Sequence, residues 1–282
     1  MSEPLPPGLY IVATPIGNLG DLTARAADVI TRCDLLLAED KRVTARLLAH
    51  IGAKVPLRTY NDHSDEAERA SIVGRLSTEA VALVSDAGTP LISDPGYKLV
   101  RDARAAGHAV VTLPGPCAAI AALTLAGLPT DRFLFLGFLP PREKARAEAI
   151  AEVAAVRATL VLYESGPRLG ASLAALGDGL GDREAAVARE LTKLYEECVT
   201  GTLRSLAERY ADAPPRGEIV IVVAPPKPPE PASEEQLDAA LLVAMERESP
   251  SRAAALVAER LGLKRKQVYE RALQLSGNHA AR

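Results

Sequence analysis

Apolar residues follow two rhythms along this chain. Some form short unbroken runs: Tyr10-Ile-Val-Ala-Thr14, Leu35-Leu-Leu-Ala38, Ala80-Val-Ala-Leu-Val84 and Ala109-Val-Val-Thr-Leu113. Such runs mark strands buried on both faces. Between them apolar positions recur every three to four residues, as at Leu22, Ala26, Val29 and Ile30. That spacing predicts helices near 22–32, from Thr44 to His50 with a stop near Gly52, from Glu66 to Leu76, and over 96–106. Strands alternating with helices over residues 9–115 imply a largely parallel sheet.

A second α/β block follows. An Ala-rich helix is expected from Pro116 to Ala126, a strand at Phe133-Leu-Phe-Leu136 and a charged helix from Arg142 to Val156. Further strands are expected at Leu160–Tyr163, Ala185–Ala188 and Glu218–Val223. Composition then changes. The proline-rich stretch ending at Ala232 reads as a stiff extended linker. Residues 233–276 carry helical patterns only, with Ser249-Pro250 as a helix start and Gly262 as a stop. Two helices joined by a short Gly turn resemble a helix-turn-helix; a small dimerisation bundle fits the same pattern. The expected domains are therefore 1–115, 116–226 and a helical 233–282, with 227–232 as linker.

Three of the strands run straight into turns of small residues. The first is Pro15-Ile-Gly17-Asn-Leu-Gly20-Asp21. The second is Ser85-Asp-Ala-Gly-Thr-Pro90 continuing to Asp94-Pro-Gly96. The third is Pro114-Gly-Pro-Cys117-Ala-Ala. Bare backbone at strand tips lets a ligand approach closely, and open α/β sheets bind ligands at the carboxyl ends of their strands. One shared small-molecule site is the expectation. The first turn lacks the Gly-Lys-Ser/Thr of a phosphate loop and is not G-x-G-x-x-G.

Composition narrows the classes. The net charge of −3 gives no global basic field for nucleic acid, although local patches remain. Trp is absent and only three Phe occur, which disfavours an aromatic RNA-stacking sheet. Three scattered cysteines and four histidines without ligand spacing predict neither disulfides nor a metal. The N-terminus has no basic start or apolar core of a signal peptide, and no apolar run reaches spanning length. A reduced, soluble, cytoplasmic protein is expected.

The order and spacing of these segments resemble the tetrapyrrole methylase superfamily, and within it the branch acting on ribosomal RNA. The matching stretches are Ile11–Thr23, Ala38-Glu-Asp40, Leu83–Tyr97, Leu113-Pro-Gly-Pro116, Gly137-Phe-Leu-Pro140, Tyr163-Glu-Ser165 with Arg168, and Ala188–Lys193 with Glu196-Glu197. The string from Ser85 to Gly96 marks this branch. The resemblance implies two α/β domains with S-adenosylmethionine in the cleft between them, a homodimer, and methylation of a cytidine ribose 2′-hydroxyl in the decoding region of 16S (small-subunit) ribosomal RNA, free or in the 30S subunit. Alternatives are a tetrapyrrole C-methyltransferase and a non-catalytic ribosome-assembly module. Two departures stand out: Gly166-Pro167 where the family usually has Pro-His, and Lys41-Arg42 where Thr-Arg is common.

By motif, the resemblance places cofactor contacts at Ile16 and Gly17, at Asp86, Ala87, Gly88 and Thr89, at Pro116, Cys117 and Ala118, and at Glu164 and Ala188. A ribose hydroxyl needs a base to become a good nucleophile. Asp40, Asp86, Asp94 and Glu190 are the candidates, with Lys193 added if burial lowers its pKa. Lys41, Arg42, Arg168, Arg189 and Lys193 are candidate phosphate contacts, joined by Lys264, Arg265 and Lys266 in the helical tail.

Overall fold

The computed structural model describes residues 3–61, 65–227 and 233–279. The first sheet contains β1 (Gly8–Val12), β2 (Leu35–Ala38), β3 (Leu57–Thr59), β4 (Ala80–Leu83) and β5 (Val110–Leu113), all parallel, in the order β3-β2-β4-β1-β5. Side chains alternate between faces along a strand. In β1, Tyr10 and Val12 join Leu36 and Ala82 on one side, under α1 (Ala24–Arg32) and α2 (Lys41–Ile51). Leu9 and Ile11 join Leu35, Leu37 and Val81 on the other, under α3 (Glu66–Arg75) and α4 (Tyr97–Ala105). Cover on both faces is why these strands read as unbroken apolar runs.

This winding has one consequence for function. β1 and β4 are neighbours, yet the helix after β1 packs on one face and the helix after β4 on the other. Their carboxyl tips therefore flank the topological switch point, where an open α/β sheet leaves a crevice.

The second sheet is mixed. It contains β6 (Phe133–Phe138), β7 (Thr159–Ser165), β8 (Glu184–Arg189), β9 (Glu197–Thr202) and β10 (Glu218–Val223), in the order β6-β7-β10-β8-β9. Only the β6–β7 pair is parallel. One face buries Leu160, Leu162, Val187 and Ile221 beneath α6 (Glu143–Val153), α7 (Leu169–Leu180) and α8 (Leu203–Arg209). The other face holds Val161, Ala186, Ala188, Val220 and Val222 against α5 (Ala118–Leu125). Ile16, from the tip of β1, is buried in that same cluster. β3, β9, α7 and α8 are elements that the periodicity did not announce. β9 is a half-exposed edge strand of mixed polarity, and α7 carries three glycines.

The described chain divides into two compact units, Met1–Pro226 and Lys227–Arg282. In the second unit, α9 (Glu234–Met245) starts with a capping box between Ser233 and Gln236. α10 (Pro250–Leu261) has proline in its first turn and stops at Gly262, whose φ of 65° suits glycine. α11 is Arg265–His279. Leu241, Ala254, Val257, Val268 and Ala272 form the core of this bundle. Most of the expected linker, residues 228–232, lies outside the described residues, as does His63.

Candidate active site

The tips of β1, β4 and β5 are tied together by their own backbone. Thr14 and Gly88 form an antiparallel bridge: the Thr14 N–H donates to Gly88 O at 2.8 Å, and the Gly88 N–H donates to Thr14 O at 3.0 Å. The Thr14 hydroxyl donates to Ser85 O at 3.2 Å, and the Thr89 hydroxyl to Pro116 O at 3.0 Å. Each turn thus satisfies polar backbone of the next. Gly88 has φ 81°, and a Cβ there would lie 3.2 Å from Ile16 Cγ2.

Above these tips lies a cavity of about 440 Å³. Ile16 and residues of the Asp86–Asp94 turn line one side; Tyr163, Glu164, Ser165 and the stretch Gly217–Val220 line the other. Among the described residues, four non-glycine residues have positive φ: Leu91 (74°), Ser93 (62°), Glu190 (49°) and Thr192 (66°). All four lie in the two loops that supply Ile92, Ser93 and Leu191 to the cavity wall. Such conformations cost about 1–3 kcal/mol each and concentrate at functional sites.

Seven of the eleven expected cofactor positions line this cavity: Ile16, Asp86, Ala87, Gly88, Thr89, Ala118 and Glu164. Pro116 and Cys117 line an adjoining hollow of about 350 Å³ that shares Ile16 with it. Gly17 lies where a Cβ would run into the Lys193 side chain. Ala188 is fully buried behind the wall, paired with Val220.

The structure separates the candidate bases. Asp86 and Asp94 line the cavity; Asp40 is not part of its lining. Asp40 caps α2, accepting the Arg42 N–H at 2.7 Å and holding the Arg42 guanidinium at 2.6 Å. Those bonds hold its carboxyl down at about 2. The Asp40 N–H donates to Asp86 Oδ1 at 3.0 Å, so its role toward the cavity is to position Asp86. Lys193 Nζ bridges Glu190 at 3.1 Å and Glu218 at 3.2 Å. Burial alone would lower the Lys193 ammonium, but the two carboxylates outweigh it and raise the group. The condition set for Lys193 as a base, that burial lowers its pKa, is not met: its acid neighbours raise the group, and it holds Glu190 in turn.

Asp94 differs from these. Burial pushes its carboxyl up, repulsion from Glu39 and Asp86 adds to this, and a hydrogen bond from Ser85 only partly offsets them, leaving it at about 6. Across the cavity, burial also raises the Tyr163 phenol. Its oxygen accepts the Ala119 N–H at 3.3 Å, and its ring meets Phe135 and Phe138 edge-on at 4.9 and 5.7 Å. Glu164 is 3% exposed; it accepts the Ser165 N–H at 2.8 Å and the Ser172 hydroxyl at 2.5 Å.

Several candidate phosphate contacts already have partners. Arg168 is 3.4 Å from Glu164 and donates to Leu139 O at 2.6 Å. Arg189 pairs with Glu197 at 2.6 Å, and Arg42 is exposed but bonded to Asp40. Lys41 is exposed at the start of α2. In the second unit, Lys264, Arg265 and Lys266 are exposed where α11 begins. Cations at a helix N-terminus oppose the macrodipole, so helix stability does not account for them there.

Sequence reasoning missed Glu39, Phe138, Tyr163, Leu191 and Gly217–Val220 as lining residues. Glu39 follows directly on β2 and was open to the strand-tip rule. Glu218 and Ile219 were not, because β10 runs antiparallel to β7 and brings its first residues, not its last, beside Ser165 and Glu164.

Known proteins share the sequence pattern and the fold of this chain. The family described as Tetrapyrrole (Corrin/Porphyrin) Methylases matches residues 8–207, and the RsmI C-terminal HTH domain matches residues 231–276. Ribosomal RNA small subunit methyltransferase I of Erythrobacter litoralis (strain HTCC2594) is 57% identical, with 97% of each chain covered. The protein of the same name from Escherichia coli O157:H7 is 45% identical, over 95% of this chain and 96% of that one. Two solved structures share the fold at low identity. A cobalt precorrin-4 methyltransferase gives a TM-score of 0.58 at 18% identity, covering 77% of this chain and 94% of that one. Diphthine synthase gives 0.60 at 16%, covering 77% and 89%. The chain belongs to the tetrapyrrole (corrin/porphyrin) methylases, in the branch whose curated members are named ribosomal RNA small subunit methyltransferase I.

Proposed function

We propose that this protein transfers the methyl group of S-adenosylmethionine to the ribose 2′-hydroxyl of a cytidine in the decoding region of small-subunit ribosomal RNA. The observation that carries this reading is the cavity itself. It sits at the switch point of the parallel sheet, above three small-residue turns, in a chain whose relatives bear the rRNA methyltransferase name.

The lining fits the cofactor. Its volume lies within the roughly 300–1,000 Å³ typical of small-molecule sites. The wall is apolar at Ile16, Ala118, Leu191 and Val220 and acidic at Glu39, Asp86, Asp94, Glu164 and Glu218. Apolar surface suits an adenosine, and the carboxylates of Glu39, Asp86, Glu164 and Glu218 suit a sulfonium and an ammonium. The same acids would repel a polycarboxylate macrocycle. When bound, the cofactor supplies an electrophilic methyl carbon. Ala87, Gly88, Thr89 and Ala118 would hold it through backbone and small side chains. The linked turns fix the distance between cofactor and hydroxyl, and such positioning accounts for much of the rate in a displacement of this kind.

Further parts of the reading come with the family resemblance. They are two α/β domains, 1–115 and 116–226, a homodimer, a cytoplasmic location, and rRNA or the 30S subunit as partner. Among the described residues no helix is long and apolar enough to cross a membrane, and no cluster of three metal-ligating side chains occurs.

The direct test uses purified protein, tritiated S-adenosylmethionine and small subunits from cells lacking the modification. Label is expected in 2′-O-methylcytidine after digestion to nucleosides. Label on a base, or none in the rRNA, sinks the reading. A second expectation concerns the tail, whose basic helix start we read as an RNA contact. Replacing Lys264, Arg265 and Lys266 with alanine is expected to weaken rRNA binding about tenfold near physiological salt and to flatten its salt dependence by about two to three units. Cofactor affinity should not change. Unaltered RNA affinity, or equal loss of both, would remove the tail from the interface.

A further inference from the structure

We propose that Asp94 accepts the proton of the attacking hydroxyl, an assignment that rests on the methyl-transfer reading above. Five carboxylates line the cavity, and their surroundings distinguish them. Asp86 accepts the Asp40 N–H. Glu164 is enclosed by Ser165, Ser172 and Arg168. Glu218 is held by Lys193. Glu39 lies beyond the tip of β2 and repels Asp94. Asp94 itself keeps a hydrogen bond from Ser85, and among the described residues the charged or titratable groups acting with it are Glu39, Asp86 and Tyr163, none of them a cation.

The backbone holds this carboxylate in place from both sides. The preceding residue, Ser93, has φ 62° and sits against β6, where a Cβ on Gly137 would come within 3.1 Å of Ser93 Oγ. Two residues after Asp94, Gly96 packs against β4, where a Cβ would meet Leu83 Cδ2 at 2.7 Å. The turn is thereby wedged between a strand of each sheet. A base needs this combination: a fixed position, access to the reacting space and no cation to quench its basicity. A carboxyl near 6 is ionised at neutral pH yet more basic than an ordinary aspartate.

The step balances. The hydroxyl O–H bond breaks and its proton passes to an Asp94 oxygen. The hydroxyl oxygen forms a bond to the methyl carbon as the methyl–sulfur bond breaks, and that electron pair stays on sulfur. Asp94 then releases the proton to water.

The test compares the parent protein with Asp94→Asn, both full-length, on small subunits lacking the modification. S-adenosylmethionine binding is measured by calorimetry, melting by fluorescence, and single-turnover methyl transfer between pH 5 and 8.5. The variant should bind the cofactor within about threefold of the parent and melt no lower, because a neutral isostere removes a poorly compensated charge. Its transfer rate should fall about 10²–10⁴-fold. The parent's rate should rise through pH 6 and level off, and the residual rate of the variant should lack that rise. Transfer by Asp94→Asn within fivefold of the parent overturns the assignment, as does cofactor affinity falling in step with rate. A parent that labels no rRNA overturns the underlying reading and the base with it; that outcome is distinct, since parent and variant then agree.

Discussion

Gly88→Leu is expected to weaken S-adenosylmethionine binding by more than about 100-fold while the protein remains folded. Gly88 does two things that a leucine cannot do together. It holds φ 81° in the bridge to Thr14, and its bare Cα faces Ile16 and the Pro116 carbonyl, the other two strand tips. A side chain placed there grows from the point where the three turns converge. The backbone strain alone costs about 1–3 kcal/mol, or roughly 2–4 °C of melting temperature per kcal/mol in a unit of this size. Gly88→Ala carries the same backbone strain with a single added carbon, 3.2 Å from Ile16 Cγ2. Calorimetry on both variants separates the two effects: alanine should lose markedly less affinity than leucine while melting at a similar temperature. Equal losses would assign the effect to the bridge instead of the space above it. Affinity of Gly88→Leu within threefold of the parent would mean that the cofactor does not sit over these turns.

Residues differ in how openly the sequence displays their role, and the reason is geometric. Ile16, Gly88 and Ala118 could be found because each lies within a few residues of a strand whose buried, unbroken pattern is unmistakable. In a parallel sheet the end of a strand is also the end that binds. The second sheet breaks that rule. β10 enters it antiparallel to β7, so Gly217 and Glu218 reach the cavity from the beginning of a strand. Nothing in Glu218-Ile-Val-Ile-Val-Val223 signals its direction. Phe138 and Tyr163 were hidden for another reason, since an aromatic in a strand reads equally well as core.

Ion pairing was invisible in the same way. Asp40, Asp86 and Asp94 are interchangeable as letters; the start of α2 turns Arg42 back onto the first, two residues away, and only the fold leaves the last among acids and a phenol. The departure at Gly166 also acquires a physical setting. A Cβ there would collide with the Pro215 carbonyl, so the segment leading to β10 packs directly on the bare backbone at the position where the resemblance implies proline.

Glu164→Ala is expected to lower stability by about 3–5 kcal/mol, the cost of breaking a buried ionic network from one side. The carboxylate is 3% exposed and joins four groups: the Ser165 N–H and hydroxyl, the Ser172 hydroxyl at 2.5 Å and the Arg168 guanidinium at 3.4 Å. Alanine leaves Ser172, itself fully buried, with a hydroxyl deprived of its acceptor. It also leaves Arg168 with only the Leu139 carbonyl. At the scale above, the melting temperature should fall by about 6–20 °C. Glu164→Gln keeps the shape and one carbonyl oxygen but loses the charge opposite Arg168, so an intermediate fall is expected. The double change Glu164→Gln with Arg168→Met should recover part of it, because removing both charges is less costly than stranding one. Since Glu164 forms the cavity wall next to Tyr163, cofactor affinity should decline along the same series, alanine most and glutamine least. A Glu164→Ala protein that melts within 2 °C of the parent would show that the carboxylate is not held as described. Its place between wall and core would then have to be redrawn.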